Sequence, residues 1–188
     1  MKLLDAHAKA MSSFDARVRG VRADQWDAPT PCTDWSVRVL VNHLVSQQLW
    51  APPLLAGSTV EQVGDRFDGD VLGADPLKAW TRAADAARGA WHRPGVLQTS
   101  VHLRRGMVGA SVYGWEMTND LAVHGWDLAR AIGADEHIDD ELAETLLTQM
   151  RPKFEGRQGS RAFTAPVDIP TDAGPGQQLV GLTGRNPF

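Results

Sequence analysis

Apolar residues recur every three or four positions along most of this chain, and this spacing restricts it to a largely helical fold. In the first segment, residues 2–22, the repeat places Leu4, Met11 and Phe14 on one face of a helix. Prolines and glycines divide the pattern into further segments of the same kind. Because an amphipathic helix must bury its apolar face, several such segments predict a helix bundle of the all-α class.

Five helices, one hairpin and one long loop follow from these breaks. We predict helices at residues 2–22, 35–50, 76–93, 110–132 and 140–151, a hairpin at 96–108 and, at 57–76, a loop that could contain one helical turn. Pro52 and Pro152 are expected to end the second and fifth helices, since proline lacks a backbone donor. We expect residues 1–188 to form one domain, with residues from about 155 to 188 wrapped around it and a short extra helix at 177–184.

The balance of charges and the single cysteine exclude several classes of function. The 188 residues carry 19 Lys+Arg against 23 Asp+Glu, a net charge of −4, and no basic cluster that would attract nucleic acid or an anionic membrane. No run of roughly 18 apolar residues could span a bilayer, and the N-terminus does not resemble a signal peptide. Cys32 has no disulfide partner, which suits a reducing compartment. We expect a cytoplasmic monomer or homodimer without nucleic-acid or membrane partners.

A stripe of polar residues on the fourth predicted helix is the first candidate for chemistry. Glu116, Asp120, His124 and Asp127 fall within a sector of about 80° on a helix that is otherwise largely apolar. A buried carboxylate is costly unless it is paired or bound to a cation. Asp120 and His124, four residues apart, could therefore hold one metal ion. An exposed acidic stripe or a His–Asp hydrogen bond would explain the same residues without a metal.

A histidine on the second predicted helix offers a third ligand. His43 lies at the edge of a strongly apolar face that includes Leu44 and Val45. A buried histidine of this kind is more often a hydrogen-bonded core residue than a ligand. Opposite Asp120 and His124, however, it would complete a set of two imidazoles and one carboxylate. Such a set leaves coordination positions open for water or substrate, as catalytic sites require.

Two long motifs and the C-terminal sequence resemble one protein family. Residues 30–45 (TPCTDWSVRVLVNHLV), 120–131 (DLAVHGWDLARA) and 178–187 (QLVGLTGRNP) resemble the actinobacterial branch of the mycothiol-dependent maleylpyruvate isomerase N-terminal family, in the DinB-like superfamily. The resemblance covers nearly the whole chain. It implies a DinB-like four-helix bundle with a long crossover connection. It also implies a divalent metal ion, with zinc as the first expectation and nickel, iron or manganese as alternatives.

The same resemblance implies that the metal ligands are His43, Asp120 and His124. The isomerase has a glutamate where this chain has Asp120, which is one methylene shorter, so the position of the ion is expected to differ. The resemblance covers the isomerase's N-terminal region, and we expect the isomerase's separate C-terminal domain to have no counterpart in this sequence. The maleylpyruvate reaction itself is therefore not implied.

Further residues are candidates for the surroundings of such a site. His7 could line the site or be a buried structural histidine, and Glu116 shares the polar stripe. Asp127 could accept a hydrogen bond from an imidazole, bind the metal, or pair with an arginine. Trp35 is expected to pack against the start of the second helix. The arginines that could hold the polar groups of a thiol cosubstrate are Arg38, Arg104, Arg105 and Arg130.

These features predict a metal-dependent enzyme that uses a low-molecular-weight thiol, mycothiol by resemblance, in S-transfer or isomerisation of a small electrophile. The expected nucleophile is a metal-bound thiolate, so no catalytic residue of the chain is assigned. Cys32 has no adjacent His/Asp motif and is expected to be structural. Two alternatives remain: a non-catalytic metal-binding stress or regulatory protein that uses the acidic 61–76 loop for contacts, and a thiol-independent biosynthetic isomerase or cyclase on the same fold.

Overall fold

Seven α-helices and one β-hairpin make up the described part of the chain, residues 1–155 and 165–188 of a computed structural model. The helices are α1 (Leu3–Arg19), α2 (Val37–Leu55), α3 (Val60–Val63), α4 (Pro76–Trp91), α5 (Ala110–Ile132), α6 (Asp140–Glu155) and α7 (Pro175–Leu182), and the strands are β1 (Ser100–Leu103) and β2 (Gly106–Gly109). The prediction of an all-α fold with a short hairpin before the long helix, which is α5, is confirmed.

Four helices, α1, α2, α4 and α5, form the bundle. α1 packs along α5 and α2 packs along α4, while α2 also contacts α5 and α1 contacts α4. Leu121 and Leu128 of α5 are fully buried, and Phe14 of α1 meets Trp80 of α4 with ring centroids 4.7 Å apart. Burial of each such side chain contributes about 1.5–3 kcal/mol. The apolar core therefore supplies most of the folding free energy, independently of the polar residues between the helices.

Prolines do not end α2 and α6 where the sequence suggested. α2 runs through Pro52 to Leu55, and α6 runs through Pro152 to Glu155. In both helices the proline lies in the last turn. Its missing N–H therefore removes a single backbone hydrogen bond close to the end of the helix. In α2, Leu55 is buried and its carbonyl accepts a hydrogen bond from Arg93 Nη2. Burial and capping of this turn outweigh the loss of backbone hydrogen bonds.

The loop between α2 and α4 is fastened to one face of α2. Asn42 and Ser46, one turn apart, form hydrogen bonds of 2.8 to 2.9 Å with the backbone of residues 67–71. His43 and Gln47 form the adjacent stripe of the same helix. One stripe of α2 therefore contacts the crossover loop, and the adjacent stripe, with His43 and Gln47, faces α5.

The hairpin lies between α4 and α5 and carries two arginines in its turn. β1 and β2 pair antiparallel from Ser100 opposite Gly109 to Leu103 opposite Gly106, so Arg104 and Arg105 form the turn. β2 leads directly into α5, which begins at Ala110. The turn is thereby held close to the first turns of α5.

The C-terminal segment packs against α5 and α6. α7 contacts both helices, and Arg130 of α5 donates hydrogen bonds of 2.9 and 3.1 Å to the carbonyls of Asn186 and Pro187. The wrap of residues from about 155 to 188 around one domain stays a prediction, and residues 156–164 of that segment lie outside the described residues. Within the described ranges, no helix is long and apolar enough to cross a membrane.

Candidate metal centre

Three side chains from α2 and α5 converge between the two helices. His43 belongs to α2, and Asp120 and His124 belong to successive turns of α5. One ligand atom from each lies within 4.8 Å of the other two. The four-residue spacing places Asp120 and His124 on one face of α5, and the packing of α2 against α5 brings His43 to that face. The structure thus brings together the two imidazoles and the carboxylate that the sequence singled out.

The geometry of this triad fits a divalent metal ion. Two bonds of about 2.0–2.1 Å at a tetrahedral angle separate the ligand atoms by about 3.4 Å. His43 Nε2 lies 3.3 Å from Asp120 Oδ2, close to that separation. The side chains of His43 and Asp120 are 32% and 34% exposed, so the cluster is open on one side. Imidazole and carboxylate ligands suit zinc, nickel, iron and manganese alike, and zinc stays the first expectation.

A buried ion pair orients His124. Its Nδ1 lies 2.9 Å from Asp127 Oδ2 and donates to this carboxylate, which leaves Nε2 for a ligand. Asp127 is completely buried and receives two further hydrogen bonds, 3.2 Å from Arg185 Nε and 2.8 Å from Arg185 Nη2. Arg185 follows α7 and also donates to the Thr183 carbonyl at 2.8 Å. The C-terminal segment therefore fixes the tautomer and the orientation of a candidate ligand.

Both carboxylates at this centre are held in their charged form. Burial by itself would raise the pKa of Asp120, but the hydrogen bond with His43 and the nearby His124 outweigh burial and lower that pKa. Burial also opposes ionisation of Asp127, yet the hydrogen bonds from His124 and Arg185 hold its pKa below the usual value. Asp120 is therefore anionic at neutral pH, and Asp127 keeps the charge that binds Arg185.

Trp35 and Gln47 also contact the triad. Neither residue was predicted from the sequence to belong to this site. The ring of Trp35 stacks on His124 with centroids 5.5 Å apart and planes 20° from parallel, and it lies 4.9 Å from His43. Gln47 donates its amide to the Asp120 carboxylate, and the same nitrogen lies 3.0 Å from His43 Nε2. Gln47 lies one turn after His43 on the same face of α2. The four-residue spacing of these two residues could therefore have predicted that Gln47 lies beside the triad.

A cavity of about 400 Å³ adjoins one member of the triad, Asp120. Asp120 and Gln47 lie in its wall, together with apolar side chains of α2, α5 and α6. This volume falls within the range of small-molecule sites. The apolar members of the wall include Trp50, Leu54, Met117 and Met150.

Glu116 lies in the wall of this cavity, one turn before Asp120. It forms an ion pair with Arg105 of the hairpin turn and another, at 3.0 Å, with Lys153 of α6. Glu116 therefore joins three elements around the cavity and does not join the triad. Its predicted place in the surroundings of the site agrees with this position, while a contact with substrate stays a prediction.

Three of the other candidate residues lie outside the cavity wall. His7 is buried in the core, where Nδ1 lies 3.1 Å from Thr118 Oγ1 and the ring packs 5.5 Å from Trp91. Arg38 pairs with Asp70 of the crossover loop at 2.8 Å. Arg130 pairs with Glu136, lies over the Trp126 ring and binds the C-terminal segment. Of the four arginines considered for a thiol cosubstrate, Arg104 and Arg105 line the cavity.

Cys32 lies in the turn before α2, partly buried. Burial raises the pKa of its thiol, which opposes formation of a thiolate. The residue belongs to a turn in which Trp35 N donates to the Cys32 carbonyl at 3.0 Å. Its backbone thereby helps to place the ring that stacks on His124.

The sequence matches known proteins over most or nearly all of its length. The profile of the mycothiol maleylpyruvate isomerase N-terminal domain matches residues 7–129, which include all three members of the triad. The chain belongs to this family. Two Mycobacterium tuberculosis proteins, from strains CDC 1551 and H37Rv and both described as uncharacterized, are 33% identical to it over 193 residues, covering 98% of each chain.

A solved structure shares the fold of this family member. It is the crystal structure of a histidine-to-alanine mutant of the mycothiol-dependent maleylpyruvate isomerase, with a TM-score of 0.68 and 15% identity. The match covers 92% of this chain and 79% of the isomerase chain. Similarity at this level confirms the DinB-like bundle predicted from the resemblance. Arg185 lies beyond the residues that the family profile covers.

Proposed function

We propose that this family member is a metal-dependent enzyme that uses a low-molecular-weight thiol, mycothiol, in S-transfer or isomerisation of a small electrophile. The observation that carries the proposal is the triad, whose ligand atoms lie within 4.8 Å of one another beside a cavity of about 400 Å³. Because Asp120 belongs to both, a molecule bound in the cavity lies next to the metal ligands. Catalysis by an ion with open coordination positions requires this proximity.

The ion would supply one chemical property, the lowering of the pKa of a coordinated thiol so that the thiol is a nucleophile at neutral pH. The chain's residues hold that ion and restrict its surroundings. His43, Asp120 and His124 would bind it, and Asp127 keeps the His124 ring in the orientation that presents Nε2. Trp35 covers the face of the His124 ring and excludes water from that side.

Two observations favour an external thiol over a nucleophile of the protein. Cys32 is the single cysteine of the chain, and burial raises the pKa of its thiol. The family name and the description of the structural neighbour both refer to mycothiol. Mycothiol is therefore the thiol to test first.

Elemental analysis of the purified protein followed by calorimetric titration with mycothiol tests this function. We expect about one zinc ion per chain and thiol binding that chelation abolishes. His43→Ala and His124→Ala should each lose most of the metal and keep the helical circular dichroism, since the apolar core supplies the folding energy. His92→Ala, which removes an exposed histidine at the end of α4, is the matched control and should keep full occupancy.

The outcomes separate this proposal from its two alternatives. Absence of a bound metal, or full occupancy in both His43→Ala and His124→Ala, would contradict the metal-dependent function. Metal without any mycothiol affinity would instead favour a non-catalytic metal-binding protein or a thiol-independent isomerase or cyclase. Turnover of an electrophile that depends on both metal and mycothiol would support the proposal directly.

A further inference from the structure

The cavity beside the triad has a predominantly apolar wall built from three helices. Trp50 and Leu54 come from α2, Met117 from α5 and Met150 from α6. Burying an apolar molecule against such side chains is favourable by about 25 cal/mol for each Å² removed from water. The body of the molecule that fits this wall is therefore hydrophobic. A thiol cosubstrate covered with polar groups would gain little there.

The basic residues at the mouth of the cavity are not all neutralised. Arg105 and Lys153 both pair with the Glu116 carboxylate. Arg104, next to Arg105 in the exposed hairpin turn, forms no ion pair or hydrogen bond with any residue that the structure describes. Glu61 of α3 is near enough to sense its charge but does not contact it. The mouth of the cavity thus keeps one cation whose charge is free to attract an anion.

A second donor lines the cavity and also has no partner among the described residues. Tyr113 lies in the first turn of α5, is 9% exposed, and its hydroxyl forms no hydrogen bond within the described part of the chain. Burial raises the pKa of Tyr113 well above its usual value, so this hydroxyl keeps its proton and can only donate to an anion. Because Tyr113 lines the cavity, a ligand that displaces water there is favoured if it accepts a hydrogen bond from this hydroxyl.

We propose that this cavity binds a hydrophobic carboxylic acid, with the apolar body against Trp50, Leu54 and Met117 and the carboxylate held by Arg104 and Tyr113. The inference rests on the proposed function and names its substrate class: an electrophile that carries an apolar body and one carboxylate. The carboxylate binds at the hairpin turn, so the rest of the molecule extends along the wall toward Asp120. Its reactive group would then lie next to the metal ligands.

Calorimetry with octanoate and 1-octanol as matched probes tests the charge preference. The two molecules have the same chain length and differ in the carboxylate. We expect octanoate to bind about tenfold more tightly than octanol, because hydrogen bonds to a charged group are stronger than those to a neutral one. Arg104→Gln should abolish the preference for octanoate over octanol. Tyr113→Phe should reduce this ratio of affinities by about threefold or more. Arg82→Gln, which neutralises an exposed arginine of α4, should leave it unchanged.

Each remaining result counts against the inference. Equal affinity of the two probes for the unmodified protein would contradict the carboxylate preference. Binding of neither probe would contradict the cavity site as a whole. An effect of Arg82→Gln as large as that of Arg104→Gln would show that net charge, and not the cavity mouth, attracts the acid.

A metal-free arm separates this inference from the proposed function. The titrations are repeated after chelation and on His43→Ala, where no ion can bind the probe carboxylate. Octanoate binding that survives both conditions supports the cavity site, and binding that disappears in both means that the carboxylate had coordinated the metal, which overturns it. Lack of metal in the purified protein, by contrast, would contradict the proposed function while the octanoate result stood unaffected.

Discussion

Asp120 determines the charge of the candidate metal centre. It supplies the only carboxylate of the triad, and it also lines the cavity. The family resemblance implies a glutamate at this position, so the carboxylate of this chain extends less far from α5. Gln47 and His43 contact this carboxylate from α2, so it joins the two helices.

Asp120→Asn preserves the shape of this ligand and removes its negative charge. We expect zinc affinity to fall by about tenfold or more, because a neutral amide cannot offset the charge of the ion. Asp120→Glu should retain more affinity than Asn, since it restores a carboxylate. Competition with a chelator ranks the three proteins, and Glu116→Gln, on the same helix but outside the triad, is the control. Equal affinity of the Asp and Asn forms would contradict the ligand role.

Cys32 provides a second test at the level of one residue. Cys32→Ser should leave metal binding and mycothiol-dependent turnover essentially intact and cost about 1 kcal/mol of folding free energy. If the protein's own sulfur were the nucleophile, serine without a general base would be far less reactive. Turnover is measured over a series of mycothiol concentrations. Complete loss at saturating thiol, in a folded and metal-loaded variant, would mean that the nucleophile belongs to the protein.

The C-terminal element links the outside of the bundle to the candidate centre. Arg185 lies 58 residues after Asp127 in sequence, yet it donates two hydrogen bonds to that buried carboxylate. Asp127 in turn holds His124. The candidate centre is therefore built by three elements, α2, α5 and the segment that follows α7.

Arg185→Gln should weaken both stability and metal binding. Asp127 would stay buried with one partner fewer, which costs roughly 3 kcal/mol in unfolding free energy. Loss of a contact that orients a ligand lowers metal affinity about 10- to 100-fold. Urea unfolding and chelator competition measure the two effects, and Arg185→Lys, which keeps the charge but not the planar fork, should be intermediate.

Arg130→Gln is the matched control for this variant. Arg130 binds the carbonyls of Asn186 and Pro187 in the same segment without contacting Asp127. We expect it to lower stability and to spare metal affinity. An equal loss of metal affinity in both variants would show that the docking of the segment, and not the contact with Asp127, is what matters.

Local pattern was enough to predict the helices and the hairpin, because apolar period and turn residues act over a few positions. Local pattern did not predict that α2 continues past Pro52. The helix extends to Leu55 because Leu55 is buried against the rest of the bundle, which is a tertiary effect. His43, Asp120 and His124 could be grouped from the sequence because a four-residue spacing, an apolar helix face and a family motif pointed to them. Arg185 carries no local signal, since its partner lies on another helix.

At the scale of the whole molecule, the stability of the fold depends on pH through a residue that is not a member of the triad. His7 is buried in the core, and burial together with His92 and Arg88 lowers its pKa from 6.5 to about 4. Its Nε2 has no hydrogen-bond partner in the described part of the chain. The folded protein therefore holds His7 neutral, while the unfolded chain takes up a proton below about pH 6.5.

Acidification from pH 7 to pH 5 should therefore destabilise the fold. The unfolded state gains about 2 kcal/mol from protonation of His7 at pH 5, where the folded state still excludes the proton. Urea unfolding with chelator present at both pH values removes any contribution of metal. His7→Gln cannot take up this proton, so its stability should fall by about 2 kcal/mol less between the same two pH values. If the free energy of unfolding changed with pH by the same amount in both proteins, His7 would not be the residue that causes the pH dependence.

The bridge from Arg185 to Asp127 also sets an order of events during synthesis. A ribosome adds about 5–20 residues per second, so the 58 residues that separate the two take about 3 to 12 s to make. All four bundle helices are complete before that interval ends. Asp127 cannot be enclosed without cost until its arginine has left the exit tunnel. Until Arg185 has emerged, a nascent chain that packs its core buries Asp127 with one partner fewer and holds the His124 ring through a less firmly fixed carboxylate.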